Sequence, residues 1–331
     1  MELWVHGPKP WGAWTRYIHP PGYSLFMNLT DLSASRFGGS EQAVFHQIFW
    51  QGLFFKCAVM LLITWALTRW KNAGWGLFGA ALYAVSPNTL RPFEQYPLAT
   101  LLSAFAVVAL VEWGLRPGRG TRTLAIVAVL GAVLLHLSVW FVVAGMVAAL
   151  FFSMPGRRKE IALVAAAMTG IFMLTTYPGL YTVLEAGNSI THEHEVGFMA
   201  IEWTNPALLA AALLVFIPSL WRERLPVVLG FGVLSFTGVT LVLQYVQLAD
   251  GKPYPYGLHY FELLEPAMVF AAVWALASLR ERARGSLRWG VLALCGGLLL
   301  SQLLSFVSCQ AALFLDVHWF WKLLTPWGGL G

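Results

Sequence analysis

Apolar runs as long as a membrane-spanning helix recur along most of the chain, broken by short basic or Pro/Gly-rich segments. A bilayer core of about 30 Å takes roughly 20 apolar residues as a helix. Such runs lie near 44–69, 73–90, 96–115, 122–137, 139–153, 160–178, 205–221, 225–247, 259–279 and 288–314. The pattern predicts an all-α fold, a polytopic transmembrane bundle of about ten spans. Composition agrees: 58% of residues are hydrophobic, 11% are charged, and mean hydropathy is +0.66. A soluble domain carries about 25% charged residues, so lipid must cover much of this surface.

The hydrophilic stretches are 1–43 and 179–204. They divide the chain into an amphipathic N-terminal segment (1–43), a bundle (44–315) with a long loop at 179–204, and an aromatic interfacial tail (316–331). Trp4, Trp11, Trp14, Trp319, Trp321 and Trp327 suit segments lying in a membrane interface, or a subunit contact. The start of the chain has no apolar signal-peptide region. Cys57, Cys295 and Cys309 lie in or near apolar runs and read as small core residues rather than a disulfide framework.

One run needs dividing. As a single helix, 122–152 would reach about 45 Å, too long for the hydrocarbon core. Basic groups flank it: Arg116, Arg119 and Arg122 before, Arg157, Arg158 and Lys159 after. Two short spans with a turn near His136–Ser138 put both groups on one side.

The positive-inside rule then orients the chain. Alternate loops hold 14 of the 21 Lys and Arg, from Arg69 and Lys71 to Arg280, Arg282, Arg284 and Arg288. That side is expected to be cytoplasmic, with both termini outside, in a bacterial inner membrane. All eight histidines then fall on the outer side or in outer halves of spans, as do twelve of the sixteen acids. Acids barely influence insertion, so this bias is independent of the rule that set the orientation. Titratable groups gathered on one face point to a functional site there. The excess charge of +5 comes from basic loops beside spans and is no nucleic-acid signal.

Short motifs add a chemistry. His19-Pro20-Pro21-Gly22-Tyr23-Ser24-Leu25 resembles the HPPLYYLLL stretch of bacterial polytopic glycosyltransferases of the GT-C superfamily, such as protein mannosyltransferases and the lipid A aminoarabinose transferase. Phe37-Gly38-Gly39-Ser40-Glu41 resembles the family's FGxSE. Ser86-Pro87 followed by Arg91-Pro92-Phe93-Glu94-Gln95-Tyr96 is similar to the segment around QEARMYAL. Leu135-His136-Leu137-Ser138 resembles a THYS turn, and His259-Tyr260-Phe261-Glu262-Leu263-Leu264-Glu265-Pro266 looks like RYLLPLLP. The ordered set covers roughly residues 17–280.

The resemblance implies transfer of a sugar from a polyprenyl-phosphate carrier to a lipid, glycan or protein acceptor at the outer face. Such a site needs a carboxylate base and cations for the phosphate. It implies Glu94 as a catalytic carboxylate, with His19, Arg91, Tyr96, His136, His259, Tyr260, Glu262 and Glu265 binding substrate. The departures are specific. Relatives start with a further span and an acidic outer loop, whereas the only acid before His19 is Glu2. Phe45 and His46 stand where the family has an arginine, and His259 replaces the arginine of the late RY pair. The rival expectation is therefore a catalytically inactive relative serving as a subunit or scaffold of a membrane complex.

Three clusters have simpler readings as well. His192, His194 and Glu195 alternate as divalent-metal ligands would on a strand, or form a solvated acidic loop. Arg91, Glu94 and Tyr96 line an outer cavity, or cap the third span. Glu262 and Glu265, three apart, share a helix face at membrane depth. With Lys56 as partner they form a structural ion pair or a functional group, and Lys56 with Glu265 is also what a transporter path would contain. The sequence shows no nucleotide-binding loop and no Ser-His-Asp order.

Overall fold

The structure, a computed structural model, describes residues 41–86, 96–136, 138–170, 173, 205–220, 224–249 and 261–315. Among them lie ten α-helices and no strand: α1 (Glu41–Trp70), α2 (Ala73–Ala84), α3 (Tyr96–Leu115), α4 (Arg119–Leu135), α5 (Val139–Ser153), α6 (158–170), α7 (Pro206–Leu213), α8 (Arg224–Ala249), α9 (Phe261–Arg282) and α10 (Leu287–Leu315). Five contain apolar stretches long enough to cross a membrane: Trp50–Trp70, Pro97–Leu115, Leu225–Val242, Glu262–Arg282 and Leu287–Val307. The described residues are thus all-helical, and their long apolar helices mark an integral membrane protein.

Two of the expected spans are short helices. The apolar run 73–90 holds α2, 12 residues long. It ends at Ala84 with Val85 as its C-cap; Pro87 follows in the sequence, and proline disfavours helical backbone at Ser86 before it. The run 205–221 holds α7, whose eight residues give way to 3₁₀ turns at Leu214–Phe216 and Pro218–Leu220. Asn205 starts α7 by accepting from the Ala207 N–H at 2.9 Å, and Pro206 takes the first helical position.

The long run 122–152 breaks as its flanking charges require. α4 ends at His136, whose backbone is extended (φ −149°, ψ 122°), and α5 begins at Val139. Arg122, at the start of α4, bonds Glu160 at 3.1 Å, and so does Arg157, just past α5, at 2.7 Å. The two helices therefore form an antiparallel hairpin with both basic groups at one end. Beyond α5 the chain bends by 109° at Pro155–Arg157 into α6.

α9 sits at the centre. It packs against α1, α2, α3, α5, α7, α8 and α10, and its apolar window is almost wholly buried. Close packing around it uses glycine, as is common among spanning helices. A Cβ added at Gly145 of α5 would overlap the Phe231 carbonyl and Ser235 of α8. One at Gly76 of α2 would lie 2.7 Å from the Thr64 carbonyl of α1. The outer surface is apolar in contrast: Trp50, Phe54, Leu61 and Trp65 on α1, and Trp289, Leu294, Leu300 and Val307 on α10, are exposed. A soluble monomer rarely shows so large an apolar surface, while lipid solvates it. Cys57 lies on this exposed side, contrary to the core position expected of it, and Cys295 is buried; both are free thiols.

Ion pairs and stacked rings tie the basic loops into one end of the bundle. Glu112 of α3 accepts from Arg69 and from the Trp70 indole, each at 3.0 Å, and from Arg116 at 3.4 Å. Lys71 donates to Ser278 at 3.1 Å and Glu281 at 3.2 Å. Arg157 stacks over Trp113, and Arg280 over Trp75. Three of the four acids expected on this side, Glu112, Glu160 and Glu281, are thus neutralised by neighbouring cations.

Candidate functional site

The opposite end holds buried charge of another kind. α1, α3 and α9 all run towards the basic end, so their first halves lie away from it. On α9, Glu262 is about 28 Å from Glu281, taking 1.5 Å per residue. Its carboxylate accepts from Lys56 Nζ of α1 at 2.5 Å. Lys56 is 1% exposed and Glu262 3%, so the pair is shut off from solvent and lipid alike. Glu265, one turn further along α9, is buried at 4% exposure. Tyr83, in the last turn of α2, is buried; one turn before it, a Cβ added at Gly79 would lie 3.6 Å from Val269 of α9, and that antiparallel register sets Tyr83 level with Glu265. Four ionisable groups from three helices therefore share one interior region: one cation, two acids and a phenol.

The local sequence explains how α9 presents them. Pro266 lies inside the helix and offers no N–H to the Glu262 carbonyl four residues earlier. Next to that irregular turn, the Ser103 hydroxyl of α3 donates to the Leu263 carbonyl at 3.0 Å. Thr100, one turn before Ser103, is also buried. α3 thus adds hydroxyls to the side of α9 that carries the acids' turn.

Of the residues singled out in the sequence, Glu262 and Glu265 fall within this cluster, and Lys56 is the partner expected for them. His136 occupies the α4–α5 turn, buried, with its Nδ1 accepting from the Ser138 N–H at 3.2 Å. Tyr96 begins α3. Both helix positions are at the end of the bundle opposite the basic loops. Leu102 of α3 faces Gly131 of α4, and that antiparallel register sets His136 level with the first turn of α3. His19, Arg91, Glu94, His192, His194, Glu195, His259 and Tyr260 lie outside the described residues. His259 and Tyr260 directly precede Phe261, the first residue of α9. No three His, Cys, Asp or Glu side chains gather as metal ligands among the described residues.

Tyr83 was missed from the sequence, where it is one aromatic residue in an apolar helix. The only signal for it is indirect: Ser86-Pro87 follows α2 closely and leaves Tyr83 in its last turn. Chemically, the cluster offers a carboxylate able to take a proton and a phenol able to donate, while its cation is held by Glu262. No protein-family model, curated protein or solved structure matches the chain.

Proposed function

We propose that this chain is a GT-C-like membrane protein of about ten spans that handles a polyprenyl-phosphate-linked sugar at the non-cytoplasmic face of a bacterial inner membrane. One observation carries the reading: away from the basic end, Lys56, Tyr83, Glu262 and Glu265 are buried together, and the two acids belong to the stretch whose sequence resembles the family's late motif. Ionisable groups at membrane depth are costly and belong to sites, pathways or tight partners. In this proposal a carboxylate, Glu94 or one of the α9 pair, accepts the proton of an acceptor hydroxyl. Arg91 and His259 meet the phosphate that leaves the sugar, while Lys56 holds the α9 acids in place.

A second reading has its own support. Lys56 and Glu262 neutralise each other at 2.5 Å in a closed interior, which suits an inactive relative acting as a subunit of a membrane complex. Sugar transfer from a polyprenyl-phosphate donor by purified, reconstituted protein separates the two. The glycosyltransferase reading expects transfer by the wild type and its loss in at least one of Glu94→Gln, Glu262→Gln and Glu265→Gln, in a variant that keeps the wild-type melting temperature. Absence of transfer by the wild type removes that reading in favour of the subunit.

A further inference from the structure

We infer that the basic end of the α9–α10 hairpin binds an anionic phospholipid, with an acyl chain seated in a groove between α7 and α10. The groove is a cavity of about 550 Å³ lined by Ala207 and Ala211 of α7, Leu276 of α9, and Gly290, Leu294 and Gly297 of α10. Its size falls in the range of roughly 300–1,000 Å³ used by small-molecule sites. Every lining side chain is Ala, Gly or Leu, so it has nothing to offer a polar ligand and suits a hydrocarbon chain.

Charge at the mouth selects the headgroup. The turn between α9 and α10 places Arg280, Arg282, Arg284 and Arg288 within nine residues, all exposed. Glu281, the acid among them, is held by Lys71. Arg280 stacks over Trp75, and Arg288 Nε donates to the Ala283 carbonyl at 2.9 Å. Neither of these arginines, nor Arg284, has a carboxylate within salt-bridge distance among the described residues. The groove begins at Gly290, two residues past Arg288, so a phosphate on the arginines directs its chain into it. Basic pockets between spans bind anionic headgroups on this principle.

A lipid fits better than a partner helix. A spanning helix about 10 Å wide and 30 Å long fills roughly 2,400 Å³, several times the cavity. It would also have to bring acids to meet the arginines, whereas the phospholipid supplies its own charge. This inference requires only that the chain spans a membrane and is independent of any sugar chemistry.

The test is retention of phosphatidylglycerol against phosphatidylcholine by the full chain, measured by native mass spectrometry after release from nanodiscs holding equal amounts of both. The wild type should keep one phosphatidylglycerol in clear preference. Arg284→Gln with Arg288→Gln should cut that preference about thirtyfold, and the two Lys variants should largely keep it. Gly297→Leu should lower retention of lipid of either kind, and a Cβ there meets nothing within 4 Å, so the fold tolerates it. Equal retention of the two lipids by the wild type would overturn the inference. So would a preference unchanged by the double Gln variant, or a Gly297→Leu variant that alters self-association while its lipid retention stays as in the wild type.

Discussion

Removing Lys56 should harm the protein more than removing its partner Glu262. The pair is 2.5 Å apart and almost fully buried. At an effective dielectric of about 20, two unit charges at that separation attract by roughly 6–7 kcal/mol. Desolvation offsets most of this gain, and loss of one partner from a buried pair typically costs about 3–5 kcal/mol. The cluster is asymmetric, however, with two acids and one cation. Lys56→Met leaves Glu262 and Glu265 buried together without their cation, so it should reach the full range of about 3–5 kcal/mol. Glu262→Gln keeps an amide that accepts a hydrogen bond, and leaves Glu265 one turn away to balance Lys56; it should cost about 1–3 kcal/mol. The double variant should cost less than the sum of the two by about 1–3 kcal/mol. Unfolding of the purified protein in mixed micelles, followed by far-UV circular dichroism, reads all four states. A Glu262→Gln cost equal to or above that of Lys56→Met, or strict additivity, would refute the asymmetric-charge account.

Other perturbations test the packing. Gly145→Ala, which pushes a methyl into the Phe231 carbonyl, should cost about 1–3 kcal/mol by the same micelle assay, whereas Gly297→Ala should be neutral. Glu112→Ala should cost about 1–3 kcal/mol because it leaves the Trp70 indole N–H without its acceptor. Arg116→Ala should cost less than about 1 kcal/mol, since that arginine is half exposed. Asn205→Ala removes both the α7 cap and the 3.1 Å bond to Ser301 of α10; a loss of about 1–2 kcal/mol, with faster amide exchange in α7, is expected.

The sequence is most legible where physics acts locally or through lipid. The break at His136–Ser138 follows from two basic clusters that must share a side, and the structure turns there. The bounds of α8, α9 and α10 fall within three residues of the apolar runs 225–247, 259–279 and 288–314. Run length does not show where α2 and α7 stop, because apolar residues continue past Ala84 and past Leu213, where 3₁₀ turns follow. The site is only partly readable. Glu262 and Glu265 stand out because acids at membrane depth need a reason, and Lys56 stands out for the same one. Their convergence, though, joins residues 206 positions apart and depends on α1 packing against α9. Tyr83 and Ser103 carry no charge, so nothing in composition or period distinguishes them from core residues.

The account rests above all on chemistry being confined to one side of a membrane. A chain with Cys57, Cys295 and Cys309 replaced by alanine, and one new cysteine at Ser286 or Asn188, tests this with a membrane-impermeant maleimide on intact bacterial cells. Ser286 lies in the α9–α10 turn among the arginines, and Asn188 in the hydrophilic sequence stretch 179–204. The account predicts that the cysteine at 188 labels on intact cells and the one at 286 only after permeabilisation; labelling of 286 on intact cells would contradict it.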